Sequence, residues 1–520
     1  MRILCGKNIL FFKINSKVCE LNYSYNLRQS QKISPEFYLL YPKFFYSVNL
    51  TLQIKFSNRT MLLKRSLPKV RWKSWVKPWQ QVDWLLFCLP IAVSIFGGIM
   101  ILSTELKQPV TDWWWHWLVA GIGVFIALFL SRIRYENLLQ WHWITYGLTN
   151  FSLIAVMLAG TSAKGAQRWI SVAGFNVQPS EFAKIGIIIT LAALLHKRTA
   201  SSLDNVFRAL AITAVPWGLV FLQPDLATSL VFGAIVLGML YWANANPGWL
   251  ILLISPVISA ILFSIYWPLS EPIDLTKVLA VGLGFLGFKE IGFASLGFLK
   301  EIAVTPLGIL WAFAMAFVGW LTLTWRRSGL AAIGAWTLNI LGGELGVFAW
   351  NHVLKEYQKD RLTVFINPDH DPLGAGYHLI QSRIAIGAGE IWGWGLFKGP
   401  MTQLNFVPEQ HTDFIFSAVG EEFGFVGCLV VLFVFCLICF RLLHVAQTAK
   451  DNFGSLLAIG VLSMIVFQLI VNVGMTVGLA PVAGIPLPWM SYGRSAMLTN
   501  FIALGIVESV ANFRQKQKYY

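Results

Sequence analysis

WLLFCLPIAVSIFGGIMILS, residues Trp84–Ser103, contains no charged side chain. At about 1.5 Å per residue a helix of this length covers roughly 30 Å, the hydrocarbon thickness of a bilayer. Similar runs recur along the 520-residue chain, separated by short polar breaks. The composition agrees. The chain is 56% hydrophobic and 12% charged, against roughly 25% charged in an ordinary soluble domain. Its mean hydropathy is +0.62, with 23 Trp and 38 Phe. Helices satisfy their own backbone in hydrocarbon, so the pattern specifies an all-α, polytopic transmembrane bundle. One very large soluble core is excluded, because its helices would need polar faces that these runs lack.

Further spans are expected to begin near Trp113, Leu139, Glu181, Val206, Leu226, Trp249, Thr305, Leu330, Thr412, Gly454 and Arg494, making about twelve. Positive charge should collect on the cytoplasmic side. With the lead Lys64, Arg65, Lys69, Arg71, Lys73 and Lys77 inside, the pairs Arg132 and Arg134, Lys197 and Arg198, Arg326 and Arg327, and Arg441 and Lys450 also fall inside. The basic tail of residues 514–520 follows them, so both ends of residues 61–513 face the cytosol. One run, Val278–Leu299, is long enough to span. It carries Lys289 and Glu290 in its middle, and a span there would put Arg326 and Arg327 outside. Residues 267–304 are therefore read as an outer-face interfacial insertion.

Residues 1–60 differ from the rest. They hold nine Lys and Arg against two Asp and Glu, which is +7 of the formal +15, and they lack a clean apolar run. They read as a disordered or upstream extension, with no signal-peptide h-region. Loop asymmetry accounts for the remaining charge, so nucleic acid is not an expected partner. The six cysteines do not form metal-type pairs with histidines, and Cys436 and Cys439 read as packing residues one turn apart.

This threading places a long polar break, residues 351–411, on the outside. Connections of that length usually carry function. It includes INPDHDPLGAGYHLIQSRIAIGAGE, Ile366–Glu390, and other polar clusters fall at the same side. These are KGAQRW (Lys164–Trp169), QPSEFAK (Gln178–Lys184), QPDLATS (Gln223–Ser229), PEQHTDFIF (Pro408–Phe416) and PLPWMSYGRS (Pro486–Ser495). In QPSEFAK, Ser180 is expected to cap a helix with Glu181 in its first turn and Lys184 one turn on. That pair reads either as a structural salt bridge or as the lining of a polar cavity. Asp225 reads as an N-cap or as support for a site. Asp371 precedes Pro372, Gly374 and Gly376; it is an Asx-Pro turn, or a carboxylate held over the membrane surface. His411 and Asp413 read as a cap network beside Glu409. Arg494 suits a lipid-linked phosphate or an interfacial anchor.

In this order the clusters resemble the shape, elongation, division and sporulation (SEDS) family, which includes RodA and FtsW. The resemblance runs from about Gln80 to Phe513, and the wording DPLGAGYHLIQSRIAIGAGE is closer to RodA. It implies a core of about ten spans in the bacterial inner membrane, so that residues 249–330 add to it. It also implies a peptidoglycan glycosyltransferase that polymerises lipid II, a disaccharide-pentapeptide on undecaprenyl diphosphate. Such proteins act with a class B penicillin-binding protein and other cell-elongation proteins, and depend on a divalent cation. The family's essential acid matches Asp371. One departure is Arg494, where the family has glycine.

These implications make Asp371 the expected general base for an acceptor sugar hydroxyl. A Mg²⁺ or Mn²⁺ ion of unknown ligands, with Lys184 or Arg168 nearby, would face the leaving diphosphate. Glu181, Asp225, Gln381, Ser382 and Arg494 complete the expected substrate-binding set. The alternatives are a lipid II flippase or transporter, a division-specific FtsW-type polymerase, and a non-catalytic scaffold.

Overall fold

The computed structural model describes residues 2–5, 8–11, 82–106, 112–163, 166–172, 175–223, 225–266, 329–366 and 374–514. The chain divides into two units, Met1–Trp72 and Lys73–Tyr520. In the first, β1 (Arg2–Cys5) and β2 (Asn8–Phe11) form an antiparallel hairpin with Arg2 opposite Phe11 and Cys5 opposite Asn8.

The second unit is mainly helical. Its helices are α1 (Trp84–Glu105), α2 (Trp114–Arg132), α3 (Glu136–Ala159), α4 (Pro179–Lys197), α5 (Leu203–Leu222), α6 (Leu226–Trp242), α7 (Pro247–Tyr266), α8 (Gly329–His352), α9 (Glu356–Ile366), α10 (Ala375–Ala388), α11 (Pro400–Gln403), α12 (Ile415–Thr448), α13 (Asn452–Val477) and α14 (Arg494–Phe513). Every expected span start except Thr305 falls at or within a few residues of a described helix. Thr305 and the insertion 267–304 lie outside the described residues. Among the described residues, seven helices are both long and apolar enough to cross a membrane, so the count of twelve is not confirmed.

Local chemistry sets the helix ends. The Asp83 carboxylate accepts from Leu86 N at 3.3 Å and opens α1. Asp451 accepts from Gly454 N at 2.8 Å and opens α13, which closes on Gly478 at φ 84°. Each such cap stabilises its helix by about 1 kcal/mol. Pro90, Pro216 and Pro256 sit inside helices, which a bundle interior tolerates when neighbouring groups take up the freed backbone.

The core is built around α4, α13 and α14. The apolar windows of α4 and α14 are 83% and 89% buried, against 28% for α5 and α12 at the periphery. Close approach explains part of this. Gly505 of α14 lies against the Ala127 backbone of α2, and Gly460 of α13 lies against Ile188 and Met239. In the same way Gly342 and Gly346 of α8 meet Pro256 and Ala260 of α7. The matching order makes α7 and α8 parallel. Asn339 reinforces the pair, donating to Ser255 Oγ and accepting from Ser259 Oγ, both at 3.0 Å.

The contacts sort the helix ends into the two groups that the charge reading expects. Ala200 N donates to Ala243 O, Trp242 Nε1 to Ser455 Oγ, and Asn512 Nδ2 to Ser131 O, all joining expected inner ends. Arg168 reaches Tyr357, and Gln178 reaches Ser495, joining expected outer ends.

One part of the all-α reading needs correction. The outer break 161–177 folds as a three-stranded antiparallel sheet, β3 (Thr161–Ala163), β4 (Ala166–Val172) and β5 (Phe175–Val177). Thr161 opposes Trp169, and Ile170 opposes Val177. The strands are short and polar, so hydropathy registers them only as a break.

Candidate active site

The sheet and the two proline motifs meet at the outer end. Asp225 is the N-cap of α6 and is buried. Its carboxylate accepts from Thr228 N at 3.2 Å, Thr228 Oγ1 at 3.0 Å and Gln178 Nε2 at 3.2 Å. Arg168, carried on β4, places Nη1 3.9 Å from the same carboxylate. Its Nε donates to Gln223 O at 3.2 Å and its Nη2 to Tyr357 Oη at 3.3 Å. Gln178 also donates its backbone N–H to Ser495 Oγ at 3.0 Å. Asp225 is therefore a helix N-cap, one of its two readings, and it also gathers residues from separate motifs.

Glu181 and Lys184 form a fully buried ion pair at 2.7 Å on the first turns of α4. Removing one partner of such a pair strands a charge away from water. Ser180 is not the cap. The chain is extended at Gln178, Pro179 takes the first helical position, and Ser180 is buried inside the first turn. Proline suits that place because its fixed φ and missing N–H cost nothing there. Similarly α12 starts at Ile415 rather than Thr412. Residues 409–414 form a turn in which Glu409 O accepts from Thr412, Asp413 and Phe414 N.

Arg494 opens α14 beside Ser495 and lies over the Trp115 ring at 5.3 Å, a cation–π contact. Ser382 of α10 is buried and donates to Thr476 O at 2.9 Å, which ties α10 to α13. Gln381 is half-buried on the same helix. The structure thus brings Arg168 and Asp225 into one cluster and pairs Glu181 with Lys184, whereas Gln381 and Ser382 sit on α10, packed against α12 and α13. Asp371 lies outside the described residues, three positions before the described chain resumes at Gly374.

Two carboxylates escaped the sequence reading. Glu421 and Glu422 are fully buried near the outer end of α12. Glu421 accepts from Met401 N at 2.7 Å, Thr402 N at 2.8 Å and Thr402 Oγ1 at 2.5 Å, capping α11. Glu422 accepts from Ser103 Oγ at the end of α1. Just beyond them α12 breaks at Gly424, with φ 65° and ψ −163°. The loop after α10 fills the break: Trp394 N donates to Glu421 O, Gly395 N to Glu422 O, Phe425 N to Glu390 O and Val426 N to Ile391 O. Gly393, at φ 78°, leaves no room for a Cβ, which would stand 2.2 Å from Glu422 O. Their signal was present in the sequence, because adjacent acids within an apolar run are costly unless held this way.

Among the described residues no group of three or more His, Cys, Asp or Glu side chains is arranged to hold a metal ion.

Residues 82–280 and 304–516 match the FtsW, RodA and SpoVE family, described as cell cycle proteins. The unmatched residues 281–303 fall within the expected insertion. The peptidoglycan glycosyltransferase RodA of Treponema pallidum (strain Nichols) is 35% identical over 439 residues, covering 83% of this chain and 98% of that protein. The peptidoglycan glycosyltransferase MrdB of Escherichia coli (strain K12) is 30% identical over 396 residues, covering 76% of this chain and 84% of that protein. A solved chain from a peptidoglycan synthase complex has the same fold, with a TM-score of 0.56 at 24% identity, covering 84% of this chain and 100% of that one.

Proposed function

Because this chain belongs to the FtsW, RodA and SpoVE family of cell cycle proteins, we propose that it is a RodA-type peptidoglycan glycosyltransferase. It is a multi-pass protein of the bacterial inner membrane and polymerises lipid II at the outer face during elongation. The observation that carries this reading is the outer cluster: Arg168, Gln178, Asp225 and Ser495 come from four separate motifs and meet at one end of the bundle.

The chemistry follows from that end. A sugar hydroxyl is a weak nucleophile at neutral pH, and a positioned base typically contributes about 10²–10⁴-fold. In this proposal Asp371 takes the proton of the acceptor hydroxyl while the donor sugar leaves undecaprenyl diphosphate. Arg168 has a side chain 26% exposed and is oriented by Asp225, so it can turn a cationic edge to the departing phosphate. Arg494 offers a second cation at the same end. Glu181 and Lys184 are enclosed, and their part is to fix α4 beneath the cluster.

Dependence on Mg²⁺ or Mn²⁺ belongs to the proposal. The described residues offer no ligand set for the ion, so no step is routed through it, and chelation tests the dependence by itself. A class B penicillin-binding protein is the proposed partner, with other cell-elongation proteins around it. Support comes from the similar chain solved within a peptidoglycan synthase complex.

The test is polymerisation of labelled lipid II by purified protein with its cognate transpeptidase. Wild type should give long glycan without an energy source, and Asp371→Asn should give almost none. A wild type that moves lipid II between leaflets but makes no polymer would replace this reading with transport.

A further inference from the structure

Residues 391–398 carry Ile391, Trp392, Trp394 and Phe397 at 59%, 76%, 54% and 39% exposure, followed by the exposed Lys398. So many large apolar groups on one short loop need an occupant. The loop's height in the bilayer identifies one.

Four backbone hydrogen bonds lock residues 390–395 to the break in α12 at Gly424. The inner end of the same helix is marked by Arg441, which pairs with Asp83 at the start of α1. From Gly424 to His444 the helix rises about 30 Å, which is the thickness of the hydrocarbon core. With Arg441 and His444 at the inner surface, Gly424 and its loop stand at the outer one. Phe425, next to the break, is 60% exposed, and Leu429 and Phe433 continue that exposed apolar face into the span. Paired tryptophans with a lysine at this height match the composition of residues that settle among lipid headgroups, the aromatic bodies in the acyl boundary and the ammonium at the phosphates.

We propose that residues 391–398 are an interfacial anchor seated in the outer leaflet, with phospholipid as the occupant. This rests on the outer orientation of α10 to α12, but not on glycosyl transfer. Since α10 (Ala375–Ala388) leads directly into the locked loop, the anchor also fixes the height of the C-terminal end of α10.

The experiment uses the full chain with native cysteines replaced by serine and Trp392→Cys labelled with an environment-sensitive fluorophore. The protein is placed in phosphatidylcholine and phosphatidylglycerol nanodiscs carrying a spin label near the headgroup or deep in the acyl chain. The proposal expects a blue-shifted probe, with the largest loss of fluorescence from the shallow label and the smallest from aqueous iodide. Quenching by iodide alone would overturn it. So would protection from both quenchers, which would mean that protein covers the loop. Trp394 donates to Ala388 O and is left intact; if the Trp392 variant does not fold, Ile391→Cys carries the same test. Polymerase activity is measured separately, so failure of either reading is seen on its own.

Discussion

At the inner end of the bundle, carboxylates pair with partners on regular helix ends; at the outer end, some do the same, but others also hold irregular backbone. Inside, Asp83 caps α1, pairs with Arg441 of α12, and donates its own N–H to Glu508 Oε2 of α14 at 3.3 Å. Asp451 caps α13 and accepts from Tyr135 Oη at 3.1 Å. Outside, Glu421 organises the short helix α11, Asp225 gathers a sheet strand and two proline motifs, and α12 is broken to admit a loop. Non-helical backbone at membrane depth is tolerated only where it is buried in protein or lines a polar cavity. The inner network does what any bundle needs. The outer one maintains a costly irregular surface, which is the expected sign of a site.

The comparison breaks if inner substitutions alter catalysis or outer ones alter only stability. Asp371→Asn should show the largest effect, a loss of polymerisation of about 10²–10⁴-fold with the melting temperature unchanged. Lys184→Ala should destabilise the protein by about 3–5 kcal/mol, because Glu181 is left charged and buried; unfolding in detergent reads this directly. Arg441→Ala should lose about 1.5–3 kcal/mol, since the arginine is partly exposed, while activity per folded molecule stays at the wild-type value. Asp225→Asn keeps one oxygen to cap α6 but loses the charge facing Arg168 and the second acceptor oxygen, which serves Gln178 Nε2 and Thr228 Oγ1. Its stability should fall by about 1–3 kcal/mol, with polymerisation falling roughly tenfold. The smallest effect is spectroscopic. Burial, and after it the Asp451 and Glu136 carboxylates, push the Tyr135 phenol above its ordinary range. Asp451→Asn removes a negative charge that opposes the phenolate, so ultraviolet titration should find that phenol moved down.

Much of the fold was legible because one property, apolar length, decides it. The starts near Trp84, Leu226 and Gly454 lie within two residues of observed helices. The same property hid the sheet at 161–177, whose strands are too short to carry a periodic signal. Within the site, Arg168, Glu181, Lys184 and Asp225 stood out as charges at span ends. Glu421 and Glu422 did not, because attention to span ends passes over acids a few turns inside one. The partners of Asp83 were beyond reach, since Arg441 and Glu508 are hundreds of positions away and only packing brings them together. Ser180 shows a local signal that misled: a serine before an acidic first turn reads as a cap, yet Pro179 had already begun the helix.

The account depends most on the outer location of the segment that carries Asp371. Its most direct test is labelling of Asp371→Cys, in a chain otherwise free of cysteine, by a membrane-impermeant thiol reagent on intact, wall-permeable cells. Reaction without disrupting the membrane is the predicted result. Reaction only after the membrane is opened would place the proposed base in the cytosol and contradict the mechanism.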